Sequence, residues 1–137
     1  MGLYQDHAGH VAAYNHSVHS RNRLLRDGNL EAKWLDSVED SITRRGVAIT
    51  TRRIEIVSRL QNFCMSRVGE FPGAIISMVG KVEDWLGSYP AVVVEERLKH
   101  TLRQSRKDDA KSAMTSSGPH RSEFRVIHGD NSISFKI

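Results

Sequence analysis

The sequence has one cysteine, three prolines and few aromatic residues, and it lacks a long apolar run. A single cysteine, Cys64, cannot form a disulfide within the chain, so the cysteine count gives no sign of an oxidising compartment. The apolar stretch at residues 71–80 is about half as long as a bilayer-spanning helix. The first residues show no basic-then-apolar signal pattern. These absences predict a cytoplasmic protein without a membrane partner.

Motifs for nucleotide binding and nucleophilic catalysis are lacking as well. A phosphate-binding loop needs the pattern G-x-x-x-x-G-K-[ST]. Gly80 and Lys81 come nearest, but Val82 replaces the hydroxyl residue and Ile75 replaces the first glycine. We interpret Cys64 as a core residue because it lies in a helical repeat, and no pattern orders a Ser-His-Asp set. The residues therefore predict no catalytic site and no bound cofactor, and a histidine-dependent hydrolase is the least favoured class.

The sequence does contain enough apolar residues for a core, together with an excess of positive charge. Its 137 residues are 39% hydrophobic and 26% charged, which is ordinary for one globular domain. The net charge is +4 and the isoelectric point is about 9.5. That balance favours an anionic partner such as nucleic acid.

Apolar residues recur at helical spacing in three segments, which predicts helices at about 6–26, 30–68 and 90–107. In the second segment they repeat every seven residues, and a helix of that length would measure about 55 Å. We call this set the apolar stripe: it consists of Leu35, Ile42, Ile49, Ile56 and Phe63, with Val38 and Leu60 beside it. A short turn between the first two helices predicts an antiparallel hairpin.

Period-two alternation predicts a small antiparallel sheet. One strand is expected at about 74–79, and Phe124, Val126, Ile133 and Phe135 alternate on both sides of a Gly129-Asp130-Asn131 turn signal. The predicted fold class is therefore α+β, with a long antiparallel helical hairpin, a third helix and this sheet.

Four histidines, His7, His10, His16 and His19, crowd the first predicted helix. Their i,i+3 spacing can place two imidazoles on one face, as a zinc site requires. Because no cysteine and few carboxylates lie nearby to complete a ligand set, we interpret them as solvent-facing histidines and predict no metal site.

The arginines of the second predicted helix have two interpretations. Arg45, Arg52 and Arg59 are seven residues apart, Arg44 and Arg53 add charge, and one acidic residue lies between residues 41 and 67. The row is either a DNA-contacting edge on a long arm or a set of structural side chains whose stems flank an apolar seam and whose charges suit the helix dipole.

Several short motifs, in their order and spacing, resemble the RecF family along nearly the whole chain. The specific ones are the Arg21-Asn22-x-Leu24-Leu25 run and the Gly118-Pro119-His120-Arg121 run. Weaker matches are Tyr14, the WL pair at 34–35, FPGA at 71–74 and SRKDD at 105–109.

The resemblance implies an origin in an SMC-like ABC ATPase of recombinational DNA repair. Intact members use ATP and Mg, bind DNA at single/double-strand junctions and work with RecR and RecO. Their nucleotide motifs flank the region matched here, so we expect this chain alone to be no enzyme and to be either an excised domain or a truncated gene product. Residues 1–117 would then form a mainly helical arm lobe, and residues 118–137 a junction loop and β-hairpin rooting the arm in the ATPase head.

Within this resemblance, His120 and Arg121 would lie at the junction between arm and head. They would either sense the nucleotide state, or Arg121 would form a salt bridge within the arm root while His120 satisfies the loop backbone. Two functions compete: a DNA-binding arm, and an interaction or dimerisation module that forms a homodimer without binding DNA.

Overall fold

Two long helices dominate the computed structural model, which describes residues 2–28, 31–66, 74–128 and 131–136. Helix α1 spans Gly2–Arg26 and helix α2 spans Ala32–Ser66. His10 contacts Arg45, whereas Ser17 further along α1 hydrogen-bonds the earlier Ser41 of α2. Partner numbers fall along α2 as they rise along α1, so the two helices are antiparallel and the predicted hairpin is confirmed.

The second helix is continuous through its 35 residues, as the apolar repeat predicts. Gly46 lies in the middle of this helix, where neighbouring residues leave little room for a side chain. A Cβ atom there would lie 3.2 Å from both Pro119 Cδ and Tyr14 Cε2, so the glycine lets the later loop approach the helix closely. The predicted ends of this helix at 30 and 67–68, and the FPG break at 71–73, lie outside the described residues.

The prediction of one third helix at 90–107 is wrong at its end. Helix α4 spans Ala91–Gln104 and helix α5 spans Arg106–Ser112. Between them Ser105 leaves the helical region (φ −90°, ψ 1°), and its hydroxyl donates to Asp109 at 2.8 Å. The same hydroxyl lies 3.2 Å from the carbonyl of Leu102, and a side-chain bond to the backbone of this kind competes with the helical hydrogen-bond pattern.

The sequence pattern also missed a short helix, α3, at Lys81–Leu86, directly after the first strand. None of the helices in the described part of the chain is both long enough and apolar enough to cross a bilayer.

Three strands form one antiparallel sheet in the order β1 (Ala74–Val79), β2 (Glu123–His128) and β3 (Asn131–Lys136). Ile76 lies opposite Val126, which lies opposite Ile133. The small antiparallel sheet is therefore confirmed, although residues 129 and 130 of its hairpin lie outside the described part. The division after residue 117 stays a prediction, since β1 before it pairs with β2 after it.

The core lies where α1, α2 and α4 meet. Val94, Leu98 and Leu102 of α4 are fully buried against it. It also contains Tyr14, Val18, Ile42, Val47 and Ile49, and Val82 from α3.

The apolar stripe enters this core only in part. Leu35, Ile42 and Ile49 are at most 1% exposed, whereas Ile56, Leu60 and Phe63 are 40%, 44% and 53% exposed. The apolar repeat therefore continues beyond the part of the helix that is buried. Contacts of α4 with α2 run from Asp36 to Gly46, so α2 is longer than the helix that covers it. The side chain of Cys64 is not among the described ones.

Candidate functional site

A buried arginine joins four parts of the chain at the base of the hairpin. The guanidinium of Arg21 is fully buried and donates to Glu39 at 3.0 Å and to Asp109 at 2.7 Å. It also donates to the hydroxyl of Thr115 at 3.0 Å and to the carbonyl of Leu102 at 2.8 Å. Because its charge meets two buried carboxylates and four of its five N–H groups donate hydrogen bonds, Arg21 can stay ionised in the core.

A second arginine extends this network to the surface. Arg106 donates to both carboxylate oxygens of Glu39, with the shortest contact 2.6 Å, and to Asp36 at 2.6 Å. The hydrogen bond from Arg106 lowers the pKa of Asp36 below its ordinary value, and Arg103 at 3.2 Å lowers it further. We call Arg21, Glu39, Asp109, Thr115 and Arg106 the root network.

The remaining residues of the first family motif lie around this network. Asn22 accepts a hydrogen bond from the Thr115 hydroxyl at 2.7 Å. Leu25 is buried at the end of α1, and Leu24 is half-buried.

Sequence reasoning missed Glu39, Asp109, Arg106 and Thr115 as members of this network. A signal for part of it was present. Glu39 stands at a position of the apolar stripe, between Leu35 and Ile42, and Arg21 stands likewise between Val18 and Leu25. Opposite charges on two core faces of adjacent helices indicate a buried ion pair. Nothing in the sequence placed Thr115 or Asp109 in the network, since they lie 94 and 88 residues from their partner Arg21.

The second family motif forms a tight loop against both long helices. Gly118 has φ 135°, and a Cβ atom there would collide with the Tyr14 hydroxyl. A 3₁₀ turn, Pro119–Arg121, follows, and the carbonyl of Pro119 accepts a hydrogen bond from Arg53 at 2.9 Å. Glycine is required here by backbone conformation and by space.

His120 bridges α1 and the loop with both ring nitrogens. Its Nε2 lies 2.7 Å from the carbonyl of Thr115, and its Nδ1 lies 2.7 Å from the hydroxyl of Tyr14. Since a carbonyl only accepts, Nε2 carries the proton and Tyr14 donates to Nδ1. Burial lowers the pKa of His120, and the nearby charge of Arg121 lowers it further. The imidazole is therefore held neutral.

Arg121 differs from His120 in its exposure and its hydrogen bonds. Its side chain is exposed, and its guanidinium makes no hydrogen bond or ion pair with any residue that the structure describes. The predicted salt bridge within the root is thus not formed with those residues. Lys81, the nearest match to a phosphate-loop lysine, donates to Ser117 at 3.3 Å.

The five arginines predicted to contact DNA occupy three different environments. Arg53 is half-buried and directed to the Pro119 carbonyl. Arg44 is exposed but pairs with Asp40 at 3.2 Å. Arg45, Arg52 and Arg59 lie along one side of α2, and we call these three the arginine edge.

The arginine edge runs beside the first turns of α1. Arg45 lies 3.5 Å from Nδ1 of His10, and Arg52 lies 3.5 Å from Glu55 with its side chain 28% exposed. Arg59 is exposed and makes no ion pair with the described residues. Glu55 is the only acidic residue of α2 beyond Asp40. The edge can therefore attract an anion while little negative charge of the chain opposes it.

Of the four predicted surface histidines, His10, His16 and His19 are exposed and His7 is half-buried. Within the described part of the chain, no three His, Cys, Asp or Glu side chains come together in a metal-binding group.

Comparison with known proteins shows what this arrangement resembles. No protein-family model matches the chain. The DNA replication and repair protein RecF of Mesorhizobium japonicum is 38% identical over 131 residues, which are 93% of this chain and 34% of that protein. The RecF proteins of Brucella abortus and Agrobacterium fabrum are 35% and 30% identical over 93% and 97% of the chain.

The fold is similar to solved RecF structures. A structure of the recombination mediator protein RecF-ATPrS in the RecFOR pathway superposes with a TM-score of 0.75 at 21% identity, covering 90% of this chain and 34% of that one. The chain spans about a third of the length of each relative. Over 93% of its length, the chain is therefore similar to one segment of RecF.

Proposed function

We propose that this chain is the DNA-binding arm of a RecF-like recombinational repair protein and that the arginine edge is its contact surface. One observation carries the proposal: three arginines lie seven residues apart on a helix where Glu55 is the only nearby acid. Such a row can follow successive phosphates, and it binds without reading base sequence.

The root network supports this assignment because its arginines already have partners within the fold and are not available to a ligand. At the base of the hairpin, Arg106 is paired with two carboxylates and Arg21 is buried, so neither can reach a ligand. Arg53 is engaged with Pro119. The arginine edge keeps most of its charge available because Glu55, its one carboxylate partner among the residues that the structure describes, is 52% exposed and 3.5 Å from Arg52.

The similarity to RecF supports a proposal about the function of the whole protein. The solved relatives carry ATP and belong to the RecFOR pathway. By that likeness, the whole protein would hydrolyse ATP with Mg, bind single/double-strand junctions and act with RecR and RecO in the cytoplasm. The arm itself would hold DNA and do no chemistry, and residues 118–137 would root it in the ATPase head.

The salt dependence of DNA affinity tests the proposal. If Arg45, Arg52 and Arg59 each neutralise one phosphate, the log–log salt slope should be about −2.7, and replacing all three by glutamate should abolish it. Affinity should fall alike for unrelated duplex sequences, as measured by fluorescence anisotropy. The proposal fails if the triple variant binds DNA as the unmodified chain does.

A matched control carries the same change of charge at the opposite end of the hairpin. Arg23, Arg26 and Lys33 are exposed and lie near the α1–α2 turn. Their replacement by glutamate should lower affinity much less, because the long-range part of the charge change is screened beyond about 10 Å at 0.1 M salt. Equal losses in both variants would indicate a net-charge effect without a defined surface.

A second candidate function is an interaction module that binds another copy of the chain. The observation that favours it is the exposed end of the apolar stripe: Ile56, Leu60 and Phe63 lie on one side of α2. Leu60→Asp should then shift the chain from dimer to monomer in sedimentation equilibrium. A chain that stays monomeric at 100 times the concentration used for DNA binding would exclude this candidate.

A further inference from the structure

Two histidines of α1 face the arginine edge. Nδ1 of His10 lies 3.5 Å from Nη1 of Arg45. His7 lies one turn earlier on α1, and Arg52 lies two turns later on α2. Because the helices are antiparallel, the two pairs follow one another along a single groove.

The ionisation of His7 responds to this arrangement. Partial burial lowers its pKa, and the charges of Arg53, Arg52 and His10 lower it further. No carboxylate contributes to the shift, since Glu55 pairs with Arg52 on the side of α2. In the free chain His7 is therefore mostly neutral at physiological pH.

His10 contacts the arginine edge directly. A guanidinium has no acceptor, so Nδ1 of His10 accepts the hydrogen bond from Arg45. A doubly protonated imidazole would point an N–H group at a cation.

We propose that His7 and His10 complete the arginine edge as a phosphate site that takes up protons when nucleic acid binds. A phosphate placed between Arg45 and His10 gives both donors a common acceptor, and a second phosphate does the same for Arg52 and His7. Its negative charge compensates the guanidinium and weakens the repulsion between the guanidinium and a protonated imidazole. The inference rests on the proposed DNA-binding function.

The direction of the pH dependence follows from this linkage. Bound phosphate raises the affinity of each imidazole for a proton, and each proton equally raises the affinity for phosphate. DNA affinity therefore rises as the pH falls through the pKa of His7 in the complex, and the gain is complete below its pKa in the free chain. Between pH 8 and pH 6 at fixed salt we expect on the order of a fivefold tighter complex, since one linked proton gives at most about tenfold per pH unit.

The test compares two double variants at both pH values. His7→Gln with His10→Gln should bind duplex DNA with the same affinity at pH 6 as at pH 8, so that the gain seen in the unmodified chain is lost. His16→Gln with His19→Gln is the matched control and should keep the gain, because His19 lies half a helical circumference away from His10. If the first variant keeps its pH dependence, or the control loses it, the inference is overturned.

A direct reading of protonation separates this inference from the proposed function. Histidine Hε1 resonances titrated by NMR should show the pKa of His7 rising when duplex DNA is added, and inorganic phosphate at equal phosphate concentration should give a much smaller rise. An equal rise with inorganic phosphate would overturn the assignment to nucleic acid. Binding that is salt-dependent and sensitive to the arginine variants, yet equal at both pH values, would leave the proposed function standing and overturn the histidine site. The histidine effect with unaffected binding in the arginine variant would overturn both, because the histidine site shares its phosphates with Arg45 and Arg52.

Discussion

The two parts of helix α2 have the same heptad pattern and opposite surroundings. In residues 32–50, Leu35, Ile42 and Ile49 are buried and the acids outnumber those of the rest of the helix. In residues 51–66, no side chain that the structure describes is fully buried, and arginines dominate. We call these parts the covered and the uncovered segment. The comparison shows that a heptad repeat indicates a helix, while burial depends on what else reaches that helix.

The charges follow the same division. Arginines next to the covered segment meet carboxylates, as Arg21 and Arg106 do with Glu39. Arginines of the uncovered segment, such as Arg52 and Arg59, have one carboxylate between them. One residue type therefore stabilises the fold at one end and remains available for a ligand at the other.

The largest expected effect is a loss of stability when the buried Arg21 beside the covered segment is replaced. Arg21→Met leaves Glu39 and Asp109 buried without a full set of partners, which costs about 3–5 kcal/mol of the free energy of unfolding. Urea denaturation followed by circular dichroism measures it. Arg23→Met, two residues away and exposed, should change the free energy by less than about 0.5 kcal/mol. A loss of under 1 kcal/mol for Arg21→Met would mean that the root network contributes little to stability.

The next effect compares two isoleucines of the same stripe. Ile42→Ala removes methyl groups from a fully buried site and should cost about 2–5 kcal/mol. Ile56→Ala changes a side chain that is 40% exposed and should cost less than about 1 kcal/mol. Equal losses for the two variants in urea denaturation would remove the distinction between covered and uncovered segments.

A smaller effect concerns the loop that closes the covered segment. Tyr14→Phe deletes the donor to Nδ1 of His120 and should lower the free energy of unfolding by about 0.5–1.5 kcal/mol at pH 8. Thermal unfolding measures the change. Tyr89→Phe, on an exposed ring over which Arg97 stacks, serves as the control and should leave the melting temperature nearly unchanged. A Tyr14→Phe variant as stable as the unmodified chain would mean that this hydrogen bond is not retained in solution.

The same histidine predicts how stability depends on pH. The pKa of His120 in the folded chain is lower than its ordinary value of 6.5 in the unfolded chain. At a pH between the folded and the unfolded pKa, the unfolded chain therefore binds a proton that the folded chain does not bind. This contribution is complete above the unfolded pKa and is lost as the pH falls toward the folded pKa. His120→Gln should flatten that part of the stability profile. A profile unchanged by His120→Gln would contradict the assignment.

The last prediction is that adding ATP has no effect on the chain alone. ATP should show no saturable binding to the chain alone in calorimetry, because Lys81 donates to Ser117 and the glycine loop is lacking in the sequence. Micromolar affinity would show that a nucleotide site lies within this segment.

Periodicity in the sequence predicted the two long helices, their antiparallel pairing and the sheet. It did not predict the break at Ser105, because a hydroxyl bond to Asp109 decides it. It placed all five arginines on the second helix but could not tell Arg53, which turns to the Pro119 carbonyl, from Arg52, which does not. Adjacent arginines differ by about 100° around a helix, and only the position of the loop gives that difference a consequence.

The sequence by itself determined that α2 is one continuous helix, its seven-residue apolar repeat and the RecF-like motifs, because these depend on residues near one another in the chain. Tertiary structure alone decided which half of the repeat is buried, since α4 comes from more than 40 residues away and packs on the covered segment, while the Gly118–Arg121 loop contacts α2 at Gly46 and at Arg53. It also decided that Arg21 is a core residue. A buried cation needs carboxylates from distant positions, Glu39 and Asp109, and folding alone brings them within 3.0 Å of it.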